Sequence, residues 1–220
     1  VNAITKRPED HFHAEAFTTL GDAHVTTGTD FGGPIDTDGK WRYRLTGLWQ
    51  DAERGQDYSK DDRVYIAPAF TFAPSDDTEL TILTDYNKRN SSLAFGFPAG
   101  SNVDPDTFLG EPDFNKFNTT QYDLGYDFRH DFTKRLQFRQ NARYTNVDLT
   151  YQQVYGATTN PATDRTAWAV DGSLDSFAID NQLQYNRDWA AIETKSLLGA
   201  SYDRIHNREI GLSGTATGID

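Results

Sequence analysis

The chain has 220 residues, of which 36% are hydrophobic and 13% aromatic, with a net charge of −12 and no cysteine. The acidic balance argues against a nucleic-acid binder, and the lack of cysteine excludes disulfides, zinc–thiolate sites and a catalytic thiol. Mean hydropathy is −0.71, and no apolar run reaches the roughly 18 residues of a membrane-spanning helix. The aromatic content argues against disorder.

The first part of the chain predicts short strands separated by turns. VNAITKRP predicts a short apolar strand that ends in a basic turn. Residues 11–20 alternate between apolar and polar side chains, and residues 24–29 predict a weaker strand after a Gly-Asp turn signal. Residues 32–39, rich in Gly, Pro and Asp, predict a tight connection.

Residues 41–49, WRYRLTGLW, form a strand pattern with two different faces. Trp41 and Trp49 bound an uncharged face, while Arg42 and Arg44 lie on the other face. The two tryptophans are about 27 Å apart along a strand, which projects to roughly 20 Å at a tilt near 40°. That length is close to the apolar band of about 25 Å that aromatic girdles enclose in outer-membrane barrels.

The same alternation recurs along the rest of the chain. It predicts strands at residues 63–73, 80–86, 122–132, 136–155, 174–187 and 195–205. Pro68 cannot donate to a ladder, so we expect it at a bulge or an unpaired position. Two long stretches, residues 87–121 and 156–172, interrupt the pattern, and loops of such length are usually functional.

About nine strands with no helical segment predict an all-β antiparallel protein, because many connections are too short for crossovers. Short turns on one rim and long loops on the other favour a transmembrane antiparallel β-barrel with its charged face toward the lumen. Single-chain bacterial barrels have even strand numbers, so we expect an incomplete piece of a larger barrel. The alternative is a soluble sandwich with the aromatic residues packed inside.

Motifs along almost the whole chain resemble those of a known protein family. They are VNAITKRP, FGGPIDTDGKWRYRLTGLW, RVYIAPAFTFAPSDDTELTILTDY, FLGEPDFNKF, QYDLGYDFRHDF, RQNARYTNVDLTYQQVYG and LDSFAIDNQLQ. In this order they resemble TonB-dependent siderophore receptors, most closely the ferric-hydroxamate (ferrichrome-type) branch. The resemblance implies a barrel of about 22 strands filled by a plug. Residues 1–10 then correspond to the end of the plug and its link, and residues 11–220 to the N-terminal part of the barrel.

The resemblance also implies a function. A receptor of this family lies in the lipid of a Gram-negative outer membrane and takes up a ferric siderophore actively. The TonB–ExbB–ExbD complex supplies the energy by acting on the plug. The iron arrives already wrapped by its ligand, so neither an enzyme activity nor a cofactor is implied. The alternatives are a passive porin-like channel and, further off, a soluble β-sheet binding module; the sequence upstream of Val1 would discriminate between them.

The resemblance points to three candidate siderophore-binding residues in the external loops. The family's third external loop presents aromatic residues in an aromatic-Gly-aromatic-Pro-like setting, matched here by FGFP at residues 95–98. Phe95 and Phe97 are therefore candidates, although they lack the hydrogen-bonding group of Tyr or Trp and can also pack the loop onto itself. Tyr155 opens the next long loop and is the third candidate, but Ala157 stands where a second aromatic residue is expected.

No residue is assigned to catalysis or to metal binding. His11 and His13 share one strand face, and Asp127 and Asp131 share another, but no nucleophile or oxyanion arrangement accompanies them. Four arginines on the charged strand faces predict a structural network in the lumen, with pairing to the plug or steering of an anionic ligand as further roles: Arg42, Arg44, Arg139 and Arg143.

Overall fold

The computed structural model describes residues 5–92, 102, 104–156, 165–189 and 192–216. Nine antiparallel strands within these residues form a single sheet. The strands, each paired with the next, are β1 (His13–Gly21), β2 (His24–Pro34), β3 (Trp41–Ala52), β4 (Asp61–Ser75), β5 (Thr78–Ser91), β6 (Lys116–Thr133), β7 (Leu136–Gly156), β8 (Arg165–Trp189) and β9 (Ile192–Ala216). The all-β antiparallel prediction is confirmed, and the sandwich alternative is wrong because the described strands form a single sheet. No helix among these residues is long and apolar enough to cross a membrane.

The connections differ between the two rims of the sheet. On one rim, residues 35–40, 76–77 and 134–135 join successive strands. On the other rim, the connections include residues 53–60 and the much longer segment 92–115. The predicted asymmetry is confirmed, with the short β1–β2 turn as an exception on the second rim. We call the second rim the external rim, since outer-membrane barrels carry their long loops on the outside.

One face of the sheet, here called the outer face, is apolar and open. Trp41 and Trp49 of β3 are 47% and 45% exposed on it. Cross-strand register extends the same face through Phe70 of β4 and Ile82 of β5, which are direct partners. Other large exposed apolar side chains include Val64, Ile66, Leu124, Tyr144, Phe177 and Leu183. Leaving this much apolar surface in water is unfavourable, whereas the hydrocarbon of a bilayer covers it without that cost.

The opposite face, here called the inner face, is polar even where it is buried. Among the described residues, Thr71 and Thr81 are the largest fully buried side chains, and their hydroxyls lie 2.9 Å apart across β4 and β5. Asp30 and Asp123 are also buried on this face. Soluble proteins bury apolar side chains and expose polar ones. The reversed arrangement is that of a transmembrane β-barrel wall, with the inner face toward the lumen.

Aromatic side chains gather at two levels of the outer face. At the lower level, Trp41 stacks on Phe72 with ring centroids 4.2 Å apart and an interplanar angle of 27°. At the upper level, Tyr86 and Tyr122 lie 5.1 Å apart, close to the level of Trp49. The two tryptophans of β3 therefore lie at opposite borders of the apolar band, as expected for residues at the two membrane interfaces.

The strands reach further toward the external rim than the alternation predicts. β5 continues to Ser91 and β6 begins at Lys116, so the irregular segment is shorter than the predicted stretch 87–121. β8 begins at Arg165, inside the predicted loop 156–172. Above the apolar band neither face contacts lipid, so the alternation between apolar and polar side chains disappears. The strands nevertheless stay hydrogen-bonded to their neighbours there.

Pro68 interrupts β4 without breaking the sheet. It lies opposite Leu45 of β3, but neither Ala67 nor Pro68 has a register partner on β5. The predicted unpaired position is confirmed, because the edge without an N–H faces a gap in the ladder.

Without detergent or lipid, this 220-residue chain is expected to aggregate, because the apolar band and the unpaired edges of β1 and β9 would associate between molecules. Size-exclusion chromatography with light scattering measures this, and the same chain refolded in detergent micelles is the control. A monodisperse, cooperatively folding monomer in plain buffer would contradict the assignment of the outer face to lipid.

Candidate functional site

Asp30 of β2 is the centre of a charged network on the inner face. It is only 5% exposed. Its two carboxylate oxygens accept hydrogen bonds from Arg44 Nε and Nη2, each at 2.8 Å. Lys6 Nζ also donates to it, and Thr46 Oγ1 donates at 3.3 Å. A bidentate guanidinium with further donors is the arrangement that best compensates for the desolvation of a buried carboxylate.

Residues 5–9, which we call the link, precede β1 and lie against the inner face. The predicted short strand does not continue into this part of the chain. Arg7 forms an ion pair with Asp127 of β6. Further along the wall, Arg143 Nη2 of β7 donates to Thr5 Oγ1 at 3.2 Å. Since Lys6 binds β2, the link crosses the inner face from β2 to β7.

The predicted network of inner-face arginines is confirmed, because each of them donates to a polar group of the wall or the link. The pairs are Arg42 with Glu79, Arg44 with Asp30 and Glu9, Arg139 with Gln184, and Arg143 with Thr5.

A second ion cluster lies at the external rim. Asp61, the first residue of β4, accepts from Arg54 Nη2 at 2.8 Å and from Arg89 Nε at 2.6 Å. Arg54 belongs to the β3–β4 connection and Arg89 to β5. The cluster therefore fixes the base of an external loop to the neighbouring strands.

Toward the external rim, the inner face of β7 changes from charged to apolar. Arg143 is followed at successive inward positions by Thr145, Val147, Leu149 and Tyr151. Their partners on β8 include Leu174, Gly172 and Val170. Tyr151 also meets Phe117 of β6 edge-on, with ring centroids 5.9 Å apart and an interplanar angle of 73°. We call this surface the apolar inner wall; it suits an organic ligand better than a bare ion.

The predicted ligand residues divide into one that the structure describes and two that it does not. Tyr155 lies at the external end of β7, half-buried, opposite Thr166 of β8. Its inward direction follows from its spacing of four residues from Tyr151. Phe95 and Phe97 lie outside the described residues, and their role stays a prediction.

The alternation pattern does not predict the apolar inner wall. It places Phe117 in a loop and marks neither Tyr151 nor Trp168, which pairs with Gln153, as a site residue. A signal was present, because the odd-numbered positions of β7 stay on one face while their chemistry changes from arginine to aliphatic and aromatic. In the structure, β6 and β8 extend further toward the external rim than the alternation predicts. This extension places Phe117 and Trp168 beside β7.

Among the described residues, no group of three or more His, Cys, Asp or Glu side chains is placed to hold a metal ion. His11 instead donates from Nδ1 to Asp10 at 2.9 Å, and its Nε2 lies 3.3 Å from Glu9. The Asp10 hydrogen bond raises the pKa of His11, and His11 in turn lowers the pKa of Asp10. Both residues precede β1, so they form a local ion pair at the end of the link.

The sequence is similar to that of siderophore receptors, although no family model matches it. It is 31% identical to the ferrioxamine receptor of Yersinia enterocolitica, over 100% of this chain and 32% of that receptor. It is 29% identical to the ferrichrome outer membrane transporter/phage receptor of Escherichia coli K12, over 94% of this chain and 32% of that protein. The chain thus spans about a third of the length of these curated relatives, which are named as a receptor and as a transporter/phage receptor.

Solved receptor structures share the fold. The pyoverdine outer membrane receptor FpvA of Pseudomonas aeruginosa PAO1 matches with a TM-score of 0.84 and 17% identity, over 94% of this chain and 32% of the receptor. The ferric-catecholate import receptor Fiu of E. coli K12 matches with a TM-score of 0.81 and 18% identity, over 92% of this chain and 33% of the receptor. The nine strands therefore have the fold of the wall of an outer-membrane receptor barrel.

Replacing the central carboxylate of the inner network should destabilise the barrel. In the full-length protein, Asp30→Asn is expected to lower the free energy of unfolding by about 1.5–3 kcal/mol, because charge-assisted hydrogen bonds to Arg44 and Lys6 are lost. Urea unfolding in lipid vesicles measures this change. The control is Asp38→Asn, since Asp38 pairs with Lys40 at 3.3 Å in an exposed turn and should matter by less than about 0.5 kcal/mol. Equal midpoints for the two variants would contradict a central role for Asp30.

Proposed function

We propose that this chain, which belongs to the family of TonB-dependent siderophore receptors, forms part of an outer-membrane receptor for the active uptake of a ferric siderophore. The receptor contacts lipid with its outer face in a Gram-negative outer membrane and binds its ligand from outside. Hydroxamate siderophores are the proposed class, because relatives named for ferrioxamine and ferrichrome match nearly the whole chain.

The observation that carries this proposal is the position of the link. Lys6 and Arg7 bind Asp30 and Asp127 from the lumen side, before the first strand begins. A passive channel does not need a segment ahead of its first strand to be paired across its inner wall. A plugged receptor does, because the last residues of the plug must pass along the wall to reach β1. The link therefore supports a plugged receptor over the porin-like alternative.

The ligand is proposed to rest against aromatic side chains near the external rim. We assign Phe95, Phe97 and Tyr155 to the siderophore and add Phe117 and Tyr151 of the apolar inner wall as neighbours. Hydroxamates already fill the coordination sphere of the iron, so the protein needs to pack against an organic shell and supplies no metal ligand. This accounts for a site built from aromatic rings without a cluster of ligating side chains.

Inward release is proposed to depend on TonB–ExbB–ExbD, which acts on the plug from the periplasmic side. The ion pairs of Lys6 and Arg7 hold the last residues of the plug to the wall. Force applied further upstream can then rearrange the plug while its junction with β1 stays in place.

Removing a ligand-facing ring should weaken siderophore binding. In the complete receptor, Phe97→Ala and Tyr155→Ala are each expected to raise the Kd for ferrichrome or ferrioxamine B about tenfold, since each deletion removes apolar contact with the ligand. Intrinsic fluorescence quenching measures the affinity. Tyr144→Ala is the matched control, because Tyr144 lies on the outer face of the same strand. Unchanged affinity in both test variants would contradict the assignment of Phe97 and Tyr155 to the ligand, but it would not contradict the assignment to the receptor family.

Energy dependence separates active uptake from passive flow. In iron-starved cells that lack their own hydroxamate receptors, the complete receptor should accumulate radioiron from labelled ferrichrome or ferrioxamine B. Deleting TonB or adding an uncoupler should abolish accumulation and leave surface binding intact, because binding needs no energy input. Accumulation that persists in both cases would favour the passive channel.

A further inference from the structure

Residues 104–115, here called the strap, hold the external ends of separate strands together. At one end, Asp57 N donates to the carbonyl oxygen of Asp106 at 3.0 Å. The rings of Tyr58 and Phe108 meet edge-on, with centroids 6.3 Å apart and an interplanar angle of 69°. These contacts fix the strap to the β3–β4 connection.

An ion pair between a buried arginine and a partly exposed glutamate fixes the other end of the strap to β8. Arg165 Nη1 donates to Glu111 Oε1 at 2.8 Å, and Nη2 lies 3.5 Å from the carbonyl oxygen of Leu109. Arg165 is 5% exposed and lies opposite Gly156, the last residue of β7. The ion pair therefore holds the external end of the β7–β8 pair.

Asn115 connects the strap to β7 through its side chain. Its Oδ1 accepts from Val154 N at 3.0 Å and from Glu111 N at 3.1 Å. Asn115 and Val154 are 3% and 2% exposed. β6 begins at Lys116, opposite Gln152, so the register between β6 and β7 ends just before Val154. The amide oxygen of Asn115 thus continues the ladder where the neighbouring strand stops.

We propose that Asn115 is a positioning residue for the siderophore site, which fixes the external end of β7 and so the direction of Tyr155. The inference rests on the proposed function, because it takes Tyr155 as a ligand residue. Adjacent residues of a strand point to opposite faces, so a fixed peptide at Val154 sets the orientation of Tyr155. Without Asn115, the buried N–H of Val154 would lose its partner, and the strand end would shift to regain one.

The close packing of the strap supports this role. A Cβ added at Gly110 would collide with the Asn115 amide and the Phe108 ring. The Asn115 side chain is therefore confined by its own segment as well as by its hydrogen bonds. A side chain held in this way can keep the external end of β7 in one position.

Affinity measurements on the complete receptor test the proposal. Asn115→Ala is expected to weaken ferrichrome or ferrioxamine B binding about fivefold to tenfold, because it removes the acceptor of a buried amide. Asn115→Asp keeps an acceptor oxygen and should stay within about twofold of wild type. In a Tyr155→Ala background, Asn115→Ala should add less than about twofold, since both changes act through one side chain. Asn146→Ala, on the outer face of β7, is the control.

Hydrogen exchange of the Val154 amide gives a second measurement that needs no ligand. Asn115→Ala should accelerate this exchange about tenfold or more, and Asn115→Asp should largely restore protection. Unchanged exchange, unchanged affinity, or an equal loss of affinity with and without Tyr155 would each overturn the proposal. If the wild-type receptor binds neither siderophore, the proposed hydroxamate class fails, while the exchange result still decides whether Asn115 holds β7.

Discussion

A hydrocarbon layer offers no water to peptide groups, so every N–H and C=O of a spanning segment must find a partner within the protein. The pairing of each strand with the next, from β1 to β9, meets that requirement over most of the sheet. It also explains why Pro68 is tolerated only where the β4–β5 ladder has a gap. With the backbone satisfied by neighbours on both sides, side chains are free to sort by face, apolar toward lipid and polar toward the lumen.

The same demand for partners governs the charges of the inner face. A carboxylate as buried as Asp30 is costly unless a fixed donor meets it, and the Arg44 fork supplies two hydrogen bonds at once. Asp61 at the external rim is held in a similar way by two arginines. At the end of β7 a side chain takes over from a strand, since Asn115 accepts the hydrogen bond of Val154 beyond the end of β6. The paired strands, the ion clusters and the strap each supply partners for buried polar groups, at different levels between the two rims of the sheet.

Local alternation predicts the middle of each strand well and the ends poorly. Residues 41–49 and 122–132 show two-faced patterns because lipid and lumen impose opposite chemistry on them. Above the apolar band both faces contact water or loops, so the extension of β8 to Arg165 has no local signature. The strap was equally hidden, because Asn115 and Val154 are 39 positions apart and Glu111 and Arg165 are 54 apart. Of the three predicted ligand residues, Tyr155 is located on the inner face, whereas the aromatic neighbours around it emerge only from cross-strand register.

The link has a mechanical consequence for the shape of the wall. Asp30 on β2 and Asp127 on β6 are four strand spacings apart, about 19 Å along the sheet at roughly 4.8 Å each. Adjacent residues, Lys6 and Arg7, reach both carboxylates from the concave side. Flattening the sheet would pull the two carboxylates apart and break one ion pair. The link therefore opposes flattening and favours a curved wall between β2 and β6.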